Sequence, residues 1–471
     1  MNILEAKNEI KSAIRIYLEK DENGDYVIPE ERQRPVFLIG APGIGKTAIM
    51  SSIADELKIG YIGYTITHHT RQSAIGLPFI AQKEYGGKTY SVTEYTMSEI
   101  VASVYDAIEK QGKKEGILFI DEINCVSETL APAMLELLQR KKFGPHKIPD
   151  GWILTAAGNP EEYNKSVNEL DMVTLDRVKK IVVEPDYDAF KTYAYNSGIH
   201  DSIISFLSLH NEYLFKSERS ANGFYFVTPR GWEDLSMAIR EYERLAIPVT
   251  EQFVSQYVQH PQAAAEYIRF YKIYNRFEEL KSGEKIENGE VEKTDLSADN
   301  FEVRYALAEI LRAKAVKIAE KASERLDAVE YMEGVISKAQ KDGHVLLSET
   351  ESLIKNLGLN KWSRYKKSAY KPIIDIFESQ NYQKASEEYK KECSLYAEKA
   401  LSKISNVLSF GERSLGKSQE FVALTSGMIA NESFVSLITR VGWTEIYAFF
   451  DGVDTSKANA LKEKAKRILN G

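Results

Sequence analysis

Apolar and polar positions follow two rhythms along this 471-residue chain, and the change of rhythm divides it. Between Arg34 and Val183, short apolar runs stand at Val36-Phe37-Leu38-Ile39, Tyr61 to Thr67, Ile117 to Ile120, Trp152 to Ala157 and Lys180 to Val183. Between them, apolar residues recur every three or four positions, as in Ile49, Ile53 and Leu57, or Leu130, Met134, Leu137 and Leu138. Short continuous runs read as buried strands and the wider spacing as one face of a helix, so residues 34–183 predict an α/β fold, a mostly parallel sheet with helices on both faces. The same reading predicts a first helix ending near Lys20, helices over 98–110 and 126–140, and an inserted loop with a hairpin over Thr70 to Glu94, where Gly76, Gly86 and Gly87 separate short apolar pieces.

Past Pro185 only helical spacing remains. Residues 186–280 predict a small all-α lid on a sheet domain spanning 1–185. Residues 281–300, charged and nearly free of large apolar side chains, predict a linker. From 301 to 471 the pattern predicts a helical C-terminal domain. There Leu307, Leu311, Ala315, Ile318, Ala322, Leu326 and Val329 form one stripe on a helix of about nine turns, suited to a bundle. The aromatics Tyr365, Tyr370, Phe377, Tyr382, Tyr389, Tyr396, Phe449 and Phe450 read as core of that domain, with a partner-binding face as the alternative.

Composition narrows the class. At 43% hydrophobic residues the chain can bury two or three cores, and a net charge of −8 gives no general attraction to nucleic acid or anionic membrane. Cys125 and Cys393 stand far apart with no metal-ligand spacing, and neither His68-His69 nor the other histidines supply one. The amino-terminal segment is charged and amphipathic, and no stretch approaches about 18 apolar residues. These features predict a soluble, cytoplasmic protein with no membrane partner.

The chemistry begins at Gly40-Ala41-Pro42-Gly43-Ile44-Gly45-Lys46-Thr47, directly after an apolar run and directly before helix-forming Ala48. Glycines at this spacing let backbone N–H groups turn in on phosphates, the lysine reaches β and γ oxygens, and the threonine hydroxyl completes a Mg²⁺ shell. Further on, an apolar run ends in Asp121-Glu122: Asp121 can organise Mg²⁺ and Glu122 can polarise an attacking water, a pair that favours ATP hydrolysis over a GTPase switch. The next run ends Gly158-Asn159-Pro160, where Asn159 can orient water or touch the γ-phosphate. Arg177 closes a helical stretch before the last strand. Thr228-Pro229-Arg230 opens a helix with Thr228 as cap, leaving the Arg230 cation against the helix dipole.

Taken in order, GAPGIGKT, LFIDEIN, AAGNP, TLDRV and TPRGWEDL resemble the P-loop, Walker B, sensor 1, arginine-finger and sensor 2 segments of AAA+ ATPases, specifically the MoxR-type group of the helix-2-insert clade, over residues 30–280. The resemblance implies ATP and Mg²⁺ as cofactors, with Gly40 to Ala48 and Asp121 binding nucleotide and Thr47 and Asp121 holding the metal. It implies catalytic roles for Glu122, Asn159, Arg177 and Arg230, with Arg177 reaching into a neighbouring subunit of a ring, most simply a hexamer. Thr70 to Glu94 and Lys142 to Gly151 correspond to loops that face a substrate or partner. The resemblance implies chaperone-like remodelling of a protein client, with a von Willebrand factor A domain protein as the candidate partner. A nucleotide-gated scaffold with negligible turnover and a nucleic-acid motor touching Lys141, Lys142, His146 and Lys147 are the alternatives. Val178 and Cys125 depart from the residues common at those places.

Overall fold

The computed structural model describes residues 1–68, 70–163, 167, 171–220, 223–277, 279–280, 284–296, 298–339, 345–358, 364–442 and 448–449, so His69, Phe450 and the chain beyond it lie outside the described residues. The described residues form two compact units: 1–199 with 210–264, and 200–209 with those from 265 to 449.

The first unit holds helices α1 (Ile3–Leu18), α2 (Lys46–Leu57), α3 (Arg71–Ile75), α4 (Glu99–Gln111), α5 (Ala131–Arg140) and α6 (Met172–Leu175). Its strands are β1 (Val36–Gly40), β2 (Gly60–Thr65), β3 (Pro78–Tyr85), β4 (Lys88–Tyr95), β5 (Gly116–Asp121), β6 (Lys142–Phe143), β7 (His146–Lys147), β8 (Trp152–Gly158) and β9 (Lys179–Val183). Five strands make one sheet in the order β2-β5-β8-β1-β9, with every pairing parallel. Alternate side chains explain its two covered faces. Val36, Leu38, Ile117, Phe119 and Ile153 bury against α1 and α2, while Phe37, Leu118, Ile120 and Leu154 bury against α4 and α5. A strand buried on both faces needs a continuous apolar run, the pattern the sequence carries. The predicted helix over 126–140 is shorter, because turns occupy Val126 to Leu130 before α5.

The insertion is a two-residue-loop hairpin of β3 and β4, turning through Gly86 and Gly87, with Phe79, Ile80, Tyr85 and Tyr90 all exposed. The loop over 142–151 carries the small antiparallel pair β6 and β7.

The stretch 186–280 departs from the all-α expectation. Besides α7 (Tyr187–Ser197), α8 (Asp201–Leu209), α9 (Pro229–Arg244), α10 (Glu251–Val254) and α11 (Pro261–Asn275), it contains a hairpin of β10 (Lys216–Ser220) and β11 (Gly223–Val227). Phe224-Tyr225-Phe226-Val227 is an aromatic and β-branched run, which favours a pleated strand over a helix, and Gly223 at φ +138° begins it.

In the second unit, α12 (Phe301–Ala339) is a 39-residue helix packed against α14 (Arg364–Glu378), α15 (Tyr382–Leu415), α16 (Gln419–Ile429) and α17 (Glu432–Val441); α13 (Val345–Gly358) adds to one end. Its burial exceeds one stripe: Tyr305 to Arg312 are buried all round, which marks a central helix. Arg312 and Glu309, both buried, pair at 2.7 Å, and Gly427 on α16 leaves room for the arginine stem, since a Cβ there would stand 2.4 Å from Arg312 Cδ. Tyr370, Phe377 and Tyr389 join a core cluster with Met332 and Ile373. Residues 284–296, without regular structure, lie on this bundle. Glu287 pairs with Lys314 at 2.8 Å, its carbonyl accepts from Asn406 at 2.8 Å, and Ile286 and Leu296 are buried. Among the described residues, no single helix is long and apolar enough to cross a membrane.

Candidate nucleotide site

Parallel strands deliver their C-terminal ends to one edge of the sheet, and β8 stands between β5 and β1. The loops after those three strands therefore meet, as ligand sites do at such an edge. After β1 the chain turns through Gly43 (φ +76°) and Gly45 (φ +95°), conformations that favour glycine, and Gly45 caps α2 without a side chain. The helix N-terminus and its free N–H groups then face the loop, a setting for phosphate.

Lys46 is 7% exposed and donates to the Gly40 carbonyl at 2.7 Å, the Ala41 carbonyl at 2.8 Å and Asn159 Oδ1 at 3.0 Å. Burial pushes its ammonium down to about 8, opposed by the Asp121 carboxylate and assisted by the Arg230 cation. Thr47 donates from Oγ1 to Asp121 Oδ2 at 2.6 Å. Two hard oxygens so close fit one Mg²⁺, an ion that takes few protein ligands and completes its shell with water and phosphate. Ala48 follows as an exposed residue of the first helical turn.

Glu122 sits in the left-handed region at φ +57°, uncommon for a residue with a Cβ and costing on the order of 1 kcal/mol or more. The turn is held by its N–H on Asp121 Oδ1 at 2.9 Å and by its carbonyl, which accepts from Cys125 N at 2.8 Å. Thr67, just beyond β2, donates to Glu122 Oε2 at 3.0 Å and fixes the carboxylate. Asn124 carries the other half of the turn. Its Nδ2 donates to the Asn159 carbonyl at 2.8 Å, and its Oδ1 accepts from Asn159 N at 3.2 Å.

Arg230 enters through its backbone. Thr228 caps α9 by accepting from Gly231 N at 3.2 Å, and Arg230 N donates to the Gly43 carbonyl at 3.2 Å. Gly43 has no room for a side chain, since a Cβ would stand 2.9 Å from Thr228 Oγ1. The start of α9 is thereby fitted against the phosphate loop.

Arg177 is not among this group. Its level on the sheet follows from register: Lys179 pairs with Val36 and Val183 with Gly40, so Arg177 stands before the start of β9, at the edge opposite the phosphate loop. There it is exposed and donates from Nη1 to Gln139 Oε1 on α5. The structure thus joins Gly40 to Thr47, Asp121, Glu122, Asn159 and Arg230, and sets Arg177 apart. Thr67, Asn124 and Gln139 hold Glu122, Asn159 and Arg177, respectively, from outside the predicted site residues. Only Asn124 carried a signal, a short polar side chain three places beyond a strand-end carboxylate.

A five-stranded parallel sheet, a glycine loop capping a helix, and a carboxylate pair and an amide on neighbouring strand tips define a P-loop nucleotide-binding module of the AAA+ class. Residues 35–178 match the family model for the AAA domain of the dynein-related subfamily, so this part of the chain carries an AAA+ core fold. No curated protein matches the chain.

Proposed function

We propose that this protein hydrolyses ATP with Mg²⁺ in sites shared between copies of itself in a ring, and that the cycle remodels a protein client. Lys46 and the loop N–H groups hold the triphosphate, Thr47 and Asp121 hold Mg²⁺, Glu122 takes the proton of the attacking water, and Asn159 orients the γ-phosphate. Bound Mg²⁺ supplies charge neutralisation on the β and γ oxygens.

The observation that carries the shared-site reading is the register of β9 on β1. From the Lys179 level to the Gly40 level is about 13 Å of strand, and Arg177 begins two residues further back, beyond a side chain's span to its own phosphate loop. A second copy in head-to-tail contact can receive it, and a heterologous contact that closes makes a ring. An arginine so delivered contributes about 10³–10⁵ in rate by neutralising transition-state charge.

The β3–β4 hairpin supports a protein client. A lone two-stranded hairpin with Phe79, Ile80, Tyr85 and Tyr90 exposed gains little by itself and suits contact with an apolar segment of another chain. The MoxR-type resemblance extends this to a von Willebrand factor A domain protein as client. The nucleic-acid alternative keeps only part of its basic cluster, with Lys142 exposed and the other two lysines engaged. Lys141 is buried and donates to the Glu30 carbonyl at 3.1 Å, and Lys147 pairs with Glu30 and, at 3.0 Å, with Asp150.

Replacing the base tests the reading. Glu122→Gln should bind ATP as wild type does and lose about 10²–10⁴ in turnover. Unchanged turnover would remove Glu122 from its role, and equal turnover by a Lys46→Ala variant would remove the site.

A further inference from the structure

Besides a long contact from Cys125 Sγ to Oδ1 at 3.8 Å, the Asn124 carboxamide makes two hydrogen bonds to one neighbour, both to the backbone of Asn159. Nδ2 donates to the Asn159 carbonyl at 2.8 Å and Oδ1 accepts from the Asn159 N–H at 3.2 Å. The pairing is tight. Asn124 is 5% exposed, and a Cβ on Gly158 would stand 2.4 Å from its Oδ1 and 2.7 Å from its Cγ. The strand therefore ends in glycine so that this amide can lie flat against the backbone, as close approach requires. The Asn159 side chain continues the chain of contacts, its Oδ1 accepting from Lys46 Nζ at 3.0 Å. On the other side Ile123 N donates to the Ala157 carbonyl at 3.0 Å, so the two loops are stitched at consecutive points.

We propose that Asn124 is a positioning residue for ATP hydrolysis: by holding both backbone groups of Asn159, it sets the Asn159 amide against Lys46 and ties the loop of Asp121 and Glu122 to the loop that reads the γ-phosphate. The inference rests on the hydrolytic reading of the site above. Asn124 touches no reacting atom in this scheme. It acts through Asn159, so its effect belongs to turnover and not to nucleotide affinity. A carboxamide is required because one end must donate and the other accept. An aspartate keeps the acceptor but turns a carboxylate oxygen toward the Asn159 carbonyl, and recovers the donor only when protonated.

The test uses the full chain, with ATP turnover and the dissociation constant of a fluorescent ATP analogue measured for Asn124→Ala, Asn124→Asp, Asn159→Ala, Gly158→Ala and the double variants. Asn124→Ala should lower kcat about 10–100-fold with affinity within about threefold of wild type. Adding Asn124→Ala to Asn159→Ala should cost at most about twofold more, since the first acts through the second. Gly158→Ala should reproduce the kcat loss, and should cost less in the Asn124→Ala background, where the colliding amide is gone. The ratio of Asn124→Asp to wild-type kcat should rise toward acid pH. If Asn124→Ala does not fold, Gly158→Ala and the aspartate pH profile carry the test alone. Losses that multiply in the double variant, or a flat aspartate ratio, overturn the proposal. Wild-type protein without turnover contradicts the hydrolytic reading itself, whereas an active wild type matched by Asn124→Ala contradicts only the role of Asn124.

Discussion

Lys46 shows how a single residue of the site is tuned by its surroundings. Desolvation disfavours the charged ammonium, and its pKa is pushed down to about 8 even with Asp121 nearby. Below that pH the folded protein bears the cost of a buried cation, and the cost fades as pH rises toward the lysine's ordinary value. A bound triphosphate reverses the balance by favouring the cation. Nucleotide binding is therefore expected to take up a proton once the free lysine has begun to lose its own. Calorimetric titration in buffers of differing ionisation heat should find uptake approaching one proton per site, and weakening affinity, between about pH 8 and 10. Affinity flat across that range would mean that Lys46 keeps its charge without nucleotide.

At this scale the sequence was legible where spacing alone implies chemistry. Gly40 to Thr47 and Asp121-Glu122 follow apolar runs whose strand character leaves little choice of position, and the fold joins them through the Thr47 to Asp121 hydrogen bond. Thr67 was not legible, because it lies 55 residues from the carboxylate it fixes and only the parallel pairing of β2 with β5 brings it there. Asn124 was visible as a residue but not as a contact, for its partner is the backbone of a strand end 35 residues away.

Among elements, the hairpin of β3 and β4 was legible because two consecutive glycines separate two short runs. The hairpin of β10 and β11 was not. Lys216 to Ser220 has no apolar alternation, and a lone run of four apolar residues beside helices reads equally as part of a helix. Residues 284–296 read as linker by composition, yet two buried apolar residues and the ionic contacts of Glu287 suffice to seat them on the bundle. The β3–β4 hairpin also carries an expectation of its own. Its side chains are exposed or half-buried throughout, so replacing 78–95 by a short glycine-serine turn should leave ATP affinity unchanged. The client contact should be lost, read by co-purification with a Glu122→Gln variant that holds ATP. Loss of ATP affinity would show that the hairpin supports the nucleotide loop instead.

For the whole molecule, two units and one displaced arginine frame the central claim. The first unit brings Gly40 to Thr47, Asp121, Glu122 and Asn159 to one edge of its sheet, and leaves Arg177 at the other. On the proposed reading another copy supplies the cation, and activity is then a property of contacts between subunits. Mixing two inactive variants measures this directly. Arg177→Ala retains its own base, and Glu122→Gln retains its own arginine, so each should be inactive alone. In an equimolar mixed assembly about one quarter of contacts pair an intact base with an intact arginine, and turnover should recover to that order relative to wild type. A mixture that stays as inactive as its components, although the variants co-assemble, would contradict a site shared between subunits.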